Sequence, residues 1–167
     1  MKEQRILGID PGLNSTGYGI IRISESHNPK LVTYGHIRTS SKKSLAERLY
    51  LIYQKLDELV QQHLPQSLAI EDIFYAENVK TAIVMGHARA AAMLAGMVNQ
   101  IPVAEYSPRE VKMSVVGNGA AVKGQVKFMV QRLLQVKEDI QPNDASDALA
   151  VALCHWHRKD KKQRGLG

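Results

Sequence analysis

The sequence is poor in cysteine and in aromatic residues, and it has no long hydrophobic segment. Cys154 is its one cysteine, which excludes an intramolecular disulfide framework and is compatible with a reducing compartment. Arg5 and Asp10 interrupt the first apolar stretch, so we expect no signal peptide. The longest uncharged apolar-leaning run, residues 90–104, contains Pro102 and is too short to span a bilayer. We therefore expect a cytoplasmic protein with no membrane partner.

The length and charge place further limits on the chain. Its 167 residues suit one compact domain and exclude a two-lobed enzyme of several hundred residues. The net charge of +6 permits nucleic acid as a partner but does not establish it. Residues 158–167 hold five basic residues and one acid, so most of the excess charge lies there. We predict a single domain over residues 1–157 and a flexible basic tail over residues 158–167.

The hydrophobic pattern predicts an α/β fold. Three strand-like segments with short connections come first and suggest an antiparallel meander, after which the period changes to that of helices. The predicted strands are residues 5–10, 17–24, 31–38, 67–71 and 102–106. The predicted helices are residues 44–63, 78–100, 125–134 and 144–157, with another that Ser107 caps and Pro108 begins. Residues 116–124 contain three glycines and are predicted to form a loop, and Asn143 is a candidate cap for the last helix.

Two acids stand at the ends of predicted strands, and two more at the start of the last helix. Asp10 and Glu71 each end an apolar run, and burying a carboxylate is costly unless another group compensates its charge. Either one alone could simply cap a turn. Asp144 and Asp147 are spaced i, i+3 and so share one side of a helix, where they could merely complement the helix dipole.

Taken together, the four acids indicate a shared function that none of them indicates alone. If they converge, the carboxylates repel one another, and divalent cations are the usual remedy. Ligand sets made only of oxygen favour hard ions such as Mg²⁺ or Mn²⁺. Two such ions about 4 Å apart can hold the attacking and leaving oxygens of a phosphodiester. Composition and spacing therefore predict a carboxylate metal site in an α/β domain.

Five motifs in order resemble the RuvC family of Holliday-junction resolvases, members of the ribonuclease H-like superfamily. They are ILGIDPGLNSTGYGII at 6–21, AIEDIFYAEN at 69–78, GHARAAAML at 86–94, VKMSVVGNGAAVKGQVK at 111–127 and NDASDALAVALCH at 143–155. The resemblance covers nearly the whole chain up to the tail. It implies a ribonuclease H-like fold, a five-stranded mixed sheet of three antiparallel strands and then parallel ones, flanked by helices.

The resemblance also implies an activity and its partners. Family members are homodimeric endonucleases that nick two opposed strands of a four-way DNA junction symmetrically and leave ligatable 5′-phosphate ends. The implied catalytic and metal-binding residues are Asp10, Glu71, Asp144 and Asp147, although some relatives carry His in place of Asp144. The implied cofactor is Mg²⁺, two ions per subunit, with Mn²⁺ as a substitute. A branch-migration motor complex is an implied partner in DNA recombination and repair.

Further positions match DNA contacts of the family. Phe74 falls where relatives place an aromatic ring near the junction, although a core position is the alternative; Tyr75 is a weaker candidate. The implied basic contacts to DNA are Lys112 and Lys123 near the scissile phosphate, with Arg109 and Lys127 on weaker grounds. Small residues along residues 78–97 permit close helix packing, and the corresponding helix of the family forms the dimer interface.

Two features depart from the family pattern. Asp72 adds a fifth acid beside Glu71, and we expect its side chain to point away, because neighbours on a strand face opposite ways. Cys154, His155 and His157 superficially resemble zinc ligands, but their spacing does not place all three on one helix face.

Two other functions are possible on the sequence alone. Residues 8–19 resemble the phosphate-binding hairpin of sugar kinases and actin-like ATPases, which need two such lobes where this chain supplies one. A junction-binding protein without catalysis is the other alternative, and the intact set of four acids argues against it.

Overall fold

The computed structural model describes residues 3–24, 28–73, 78–163 and 165. Five strands form one mixed sheet in the order β3-β2-β1-β4-β5. The strands are β1 (Gln4–Asp10), β2 (Ser15–Ile23), β3 (Pro29–Arg38), β4 (Ser67–Glu71) and β5 (Val103–Tyr106). The first three strands pair antiparallel, whereas β4 runs parallel to β1 and β5 parallel to β4. This is the predicted arrangement of three antiparallel strands followed by parallel ones.

Helices cover both faces of the sheet. They are α1 (Leu45–His63), α2 (Val79–Val98), α3 (Pro108–Val116), α4 (Lys123–Leu134) and α5 (Asn143–Gln163). Local sequence sets several of their ends. Ser44 and Glu47 form a capping box at α1, and Ser107 and Glu110 form another at α3, as expected for Ser107. Gly117 ends α3 in the left-handed conformation that glycine adopts without strain.

The two faces of the sheet bury separate cores because successive residues of a strand point in opposite directions. Ile6 and Ile21 pack with α3, α4 and α5 on one face. Leu7 and Ile20 pack with α1 and α2 on the other face. Burial of apolar surface on both sides explains why β1 and β4 read as continuous apolar runs.

Helix α5 lies unusually close to the sheet. A Cβ built on Gly8 would lie 2.1 Å from the carbonyl oxygen of Ala148, and one on Gly17 would lie 2.0 Å from that of Asp144. Gly19 of β2 pairs with Gly8 of β1, and the side chain of Leu149 occupies the space that a side chain on Gly19 would need. Glycine is therefore required here so that the backbone of α5 can approach the strands.

The predicted helix boundaries at the C-terminal end were wrong in two respects. The last helix continues to Gln163 instead of ending at His157, so most of the predicted basic tail is helical. Arg158 supports this extension by pairing with Glu110 of α3 at 2.8 Å. Asn143 is the first residue of α5 and not its cap, and the amide of Ala145 donates to the carbonyl oxygen of Pro142.

Helix α2 is the most apolar of the described helices. It is the one described helix long and apolar enough to cross a membrane by length and composition, and 28% of the relevant window is buried. A helix packed inside a protein passes the same test. Its buried side consists of small residues such as Ala88, Ala92 and Gly96, and it packs on the face of the sheet that carries Leu7 and Ile20.

Candidate active site

The sheet brings Asp10 and Glu71 to the same edge. Strands β1 and β4 are parallel neighbours with Ile9 opposite Ile70, so the acids that follow these residues end adjacent strands side by side. Both acids are partly exposed, whereas the residues before them are buried. Ala69, two residues before Glu71, belongs to the core beneath α5, so Glu71 faces that helix as well.

The start of α5 brings the other two acids to this edge. Gly17 pairs with Asp10 across the sheet, and its missing side chain admits the backbone of Asp144. Asp10, Asp144 and Asp147 thereby each offer a carboxylate oxygen within 4.8 Å of the others, a spacing that could hold a metal ion. The predicted convergence of strand ends and helix start is present in the structure, with Glu71 adjoining the three-acid cluster.

The electrostatics show how crowded these acids are. Burial, and then the negative charge of Glu71, raise the pKa of Asp10 to about 8. Burial, and then the charge of Asp147, raise the pKa of Glu71 to about 7. The pKa of Asp147 is also raised, chiefly by burial. Without a cation, the cluster therefore holds protons at neutral pH, whereas a bound cation would favour the ionised carboxylates.

Residues at the turn between β1 and β2 hold this side of the site. The hydroxyl of Thr16, which is buried, donates to the carbonyl oxygen of Gly12 at 2.6 Å. The hydroxyl of Ser15 donates to Oδ2 of Asp144 at 2.5 Å. Sequence reasoning missed Ser15, since a serine at a strand start is ordinary and its partner lies 129 residues away.

An open cleft adjoins Asp144. It has a volume of about 480 Å³ and lies between the β1–β2 turn and the first turns of α2. Gly12, Asn14, Lys80 and Thr81 contribute to its walls. Asp144, which lines this cleft, is therefore accessible from solvent on this side.

Two of the predicted basic residues face the acids. Nζ of Lys123 lies 3.6 Å from Oδ2 of Asp147, and the lysine side chain is 84% exposed. Lys112, on α3, lowers the pKa values of Glu71 and Asp147 through its charge. Lys112 and Lys123 thus border the carboxylates from α3 and from the start of α4.

The other two predicted basic residues have structural contacts. Nζ of Lys127 lies 2.6 Å from Oδ1 of Asp139, and the lysine side chain is 20% exposed. Lys127 also donates to Oδ1 of Asn143 at 3.4 Å, so it links α4 to the start of α5. The side chain of Arg109 packs against Gly119 in the loop between α3 and α4. A role for either residue in DNA binding stays a prediction.

Phe74 and Tyr75, the predicted aromatic contacts to DNA, lie outside the described residues. Asp72 points away from the cluster as expected: Nη2 of Arg89 on α2 lies 3.2 Å from its Oδ1, and Arg89 also pairs with Glu105.

The three side chains that superficially resembled zinc ligands have separate partners. Cys154 donates to the carbonyl oxygen of Glu110, and Nδ1 of His155 lies 2.8 Å from the hydroxyl of Tyr106. Nδ1 of His157 lies 3.0 Å from the hydroxyl of Ser114. Burial lowers the pKa of His155 to about 4, so it is neutral at physiological pH.

Comparisons with known proteins agree with the geometry. The family model for crossover junction endodeoxyribonuclease RuvC matches residues 6–155. A crossover junction endodeoxyribonuclease RuvC of Syntrophomonas wolfei is 47% identical over 153 residues, covering 92% of this chain and 88% of the relative. That of Alkaliphilus metalliredigens is 46% identical over 152 residues, covering 91% and 92%.

Solved structures give the same result. The structure described as T. thermophilus RuvC in complex with Holliday junction substrate superposes with a TM-score of 0.90 at 29% identity, covering 98% of this chain and 97% of the other. The ribonuclease H-like fold inferred from the motifs is confirmed, and the ATPase alternative loses its support. The chain belongs to the RuvC family of crossover junction endodeoxyribonucleases.

Proposed function

We propose that this protein resolves four-way DNA junctions as an endonuclease that hydrolyses phosphodiester bonds with the help of divalent cations. The carboxylate cluster carries the proposal: oxygens of Asp10, Asp144 and Asp147 lie within 4.8 Å of one another, beside Glu71. Paired symmetric nicks with 5′-phosphate ends follow from the family resemblance, and so does a role in DNA recombination and repair.

The chemistry of these residues fits a hard divalent cation. All four side chains offer oxygen, and the pKa values of Asp10 and Glu71 stay raised although nearby lysines offset part of their charge. We propose Mg²⁺, two ions per subunit, with Mn²⁺ as a substitute, and all four acids as ligands. When bound, such cations supply positive charge to the scissile phosphate and to the attacking water.

The protein's own residues orient the substrate. The sheet and α5 hold the acids on rigid elements, so they need little rearrangement when a phosphate arrives. Lys123 and Lys112 place positive charge at the border of the cluster, where we propose that they bind phosphate oxygens. Because the Lys123 side chain is largely exposed, it can leave Asp147 and bind a phosphate of the DNA backbone.

We also propose that α2 forms a homodimer interface. Its outer side exposes large apolar residues, including Ile83, Leu94 and Met97. An apolar groove of about 310 Å³ between α1 and α2 adjoins this side, lined by Leu49, Tyr50, Tyr53, His87, Ala90, Ala91 and Leu94. A second copy would bury this surface, and a two-fold dimer would present paired sites to a two-fold junction.

A branch-migration motor as a partner rests on the family resemblance, and a cytoplasmic location rests on the sequence features described above; both stay predictions.

The deciding experiment incubates the protein with a synthetic four-way junction and with a linear duplex of the same sequence, with and without Mg²⁺. We expect symmetric nicks at the junction that require Mg²⁺ and carry 5′-phosphates. Asp10→Asn should bind the junction and fail to cleave it. Binding without Mg²⁺-dependent nicking by the unmodified protein would favour the non-catalytic alternative instead.

A further inference from the structure

Ser15 makes a short hydrogen bond to one acid of the cluster. Its Oγ donates to Oδ2 of Asp144 at 2.5 Å, within the range of hydroxyl–carboxylate bonds strengthened by the charge of the acceptor. Such a bond restricts the rotation of the carboxylate and engages one of its two oxygens. The other oxygen, Oδ1, keeps both of its lone pairs for a cation, whereas Oδ2 shares its lone pairs with Ser15.

The donor itself is held in place by the sheet and by the turn before it. Ser15 begins β2 and pairs with Arg38 of β3. The amide of Gly12 donates to Oγ1 of Thr16, which fastens the turn from the other side. The guanidinium of Arg48 on α1 donates to the carbonyl oxygen of Leu13 and to Oδ1 of Asn14. The Ser15 hydroxyl therefore projects from a rigid segment.

Asp147 is restrained differently. It faces Lys123, a long side chain that is 84% exposed and lies 3.6 Å away. A lysine ammonium is a mobile point charge and sets no particular carboxylate rotamer. Within the cluster, Asp144 is thus oriented by a rigid hydroxyl and Asp147 by a flexible cation.

We propose that Ser15 is a positioning residue that makes Asp144 a one-oxygen ligand and thereby favours Mg²⁺ over Ca²⁺. Mg²⁺ requires near-ideal octahedral geometry with short bonds, which suits a carboxylate that offers a single oriented oxygen. Ca²⁺ is larger and readily takes both oxygens of a carboxylate, which the hydrogen bond to Ser15 opposes. The inference rests on the metal site of the proposed function.

The test compares Ser15→Thr with Ser15→Val, because these two side chains have nearly the same shape and differ in the hydroxyl. Ser15→Ala is a third variant that keeps the strand intact if the branched residues do not fit. Ser114→Ala is the matched control, since it also removes a serine hydroxyl that contacts another side chain, but on α3 beside His157. Each metal-free full-length protein is titrated with Mg²⁺ and with Ca²⁺ by calorimetry.

We expect Ser15→Val and Ser15→Ala to weaken Mg²⁺ binding roughly 10-fold, as is usual when a residue that supports a metal ligand is lost. Ca²⁺ binding should change less than about 3-fold, so the preference for Mg²⁺ falls. Ser15→Thr and Ser114→Ala should keep the preference of the unmodified protein. In junction cleavage, the Mg²⁺ concentration for half-maximal rate should rise more than the rate at saturating Mg²⁺ falls.

An unchanged ratio of Mg²⁺ to Ca²⁺ affinity in Ser15→Val and Ser15→Ala would overturn the role of Ser15, even if the protein cleaves junctions. An equal loss in Ser15→Thr would also overturn it, because the hydroxyl would then be irrelevant. Failure of the unmodified protein to bind either cation would overturn the metal site itself and the proposed function with it.

Discussion

Helices α5 and α2 cover opposite faces of the same sheet, and they meet it in different ways. Helix α5 approaches so closely that the backbone of Ala148 occupies the space of a side chain on Gly8, and its residues 148–155 are buried. Helix α2 packs through alanines and leaves Leu94 58% exposed and Met97 61% exposed. Helix α5 fixes the acids against the strands, whereas α2 exposes the apolar surface that we propose as a dimer interface.

The largest expected effect comes from comparing two glycine-to-alanine substitutions, one in the strand beneath α5 and one in α2. Gly8→Ala should destabilise the protein by about 3 kcal/mol or more, because its Cβ would lie 2.1 Å from the carbonyl oxygen of Ala148 and the backbone cannot yield cheaply. Gly86→Ala on α2 is the control: its Cβ would meet no described atom within 4 Å, and alanine favours a helix by about 1 kcal/mol. Denaturant unfolding of both variants measures the difference. Equal effects would show that the close approach of α5 is unimportant.

The surface on α2 can be tested by placing a charge on it. Leu94→Glu should shift the protein from dimer to monomer in analytical ultracentrifugation, with little loss of monomer stability, because this side chain is largely exposed. Gln54→Glu, at an exposed position of α1, is the control, because it changes the charge by the same single unit. A variant that remains dimeric would place the interface elsewhere.

Asp10 offers a third test, through the pH dependence of stability. Because the pKa of Asp10 is raised to about 8 in the folded protein, its ionisation costs stability as pH rises from the unfolded pKa of about 4 towards 8. Asp10→Asn removes this cost. The variant should therefore gain Tm relative to the unmodified protein, and the gain should be larger at pH 8 than at pH 5. A gain independent of pH would contradict the raised pKa.

The last test concerns the binding of the cation itself. Mg²⁺ must displace the protons that Asp10 and Glu71 hold, so its apparent affinity should rise roughly 10-fold per pH unit for each proton released, from pH 6 towards pH 8. Thermal shift titrations at pH 6, 7 and 8 measure it. The Asp10→Asn variant should show a weaker pH dependence of Mg²⁺ affinity. If its pH dependence equals that of the unmodified protein, the displaced proton comes from another group.

Much of the fold could be predicted from local pattern. The bounds of β4 match the prediction, and the caps of α1 and α3 are short-range contacts that a sequence displays directly. The end of α5 could not be predicted in this way, because its last turns are polar and are supported by a contact between Arg158 and Glu110 on another helix. Polar segments carry no periodic signal that separates a supported helix from a tail.

The four acids could also be predicted from the local sequence pattern. Asp10 and Glu71 are conspicuous because they end apolar strands, and Asp144 and Asp147 because their spacing places them on one side of the start of a helix. The structure separates the predicted basic residues. Lys123 faces the acids, whereas Lys127 contacts Asp139 and Asn143. Charge and position along the chain are alike for these two lysines, so only the packing of α4 separates them.

The sequence by itself determined the order of strands and helices, the identity of the acids and the family. These depend on residue type and short-range spacing, which the chain carries before it folds. The tertiary structure alone decided which oxygens meet: the distances among the acids, the raised pKa values, and the bond from Ser15 to Asp144 across 129 residues. Such contacts arise where the glycines of β1 and β2 admit α5, and no local pattern encodes that approach.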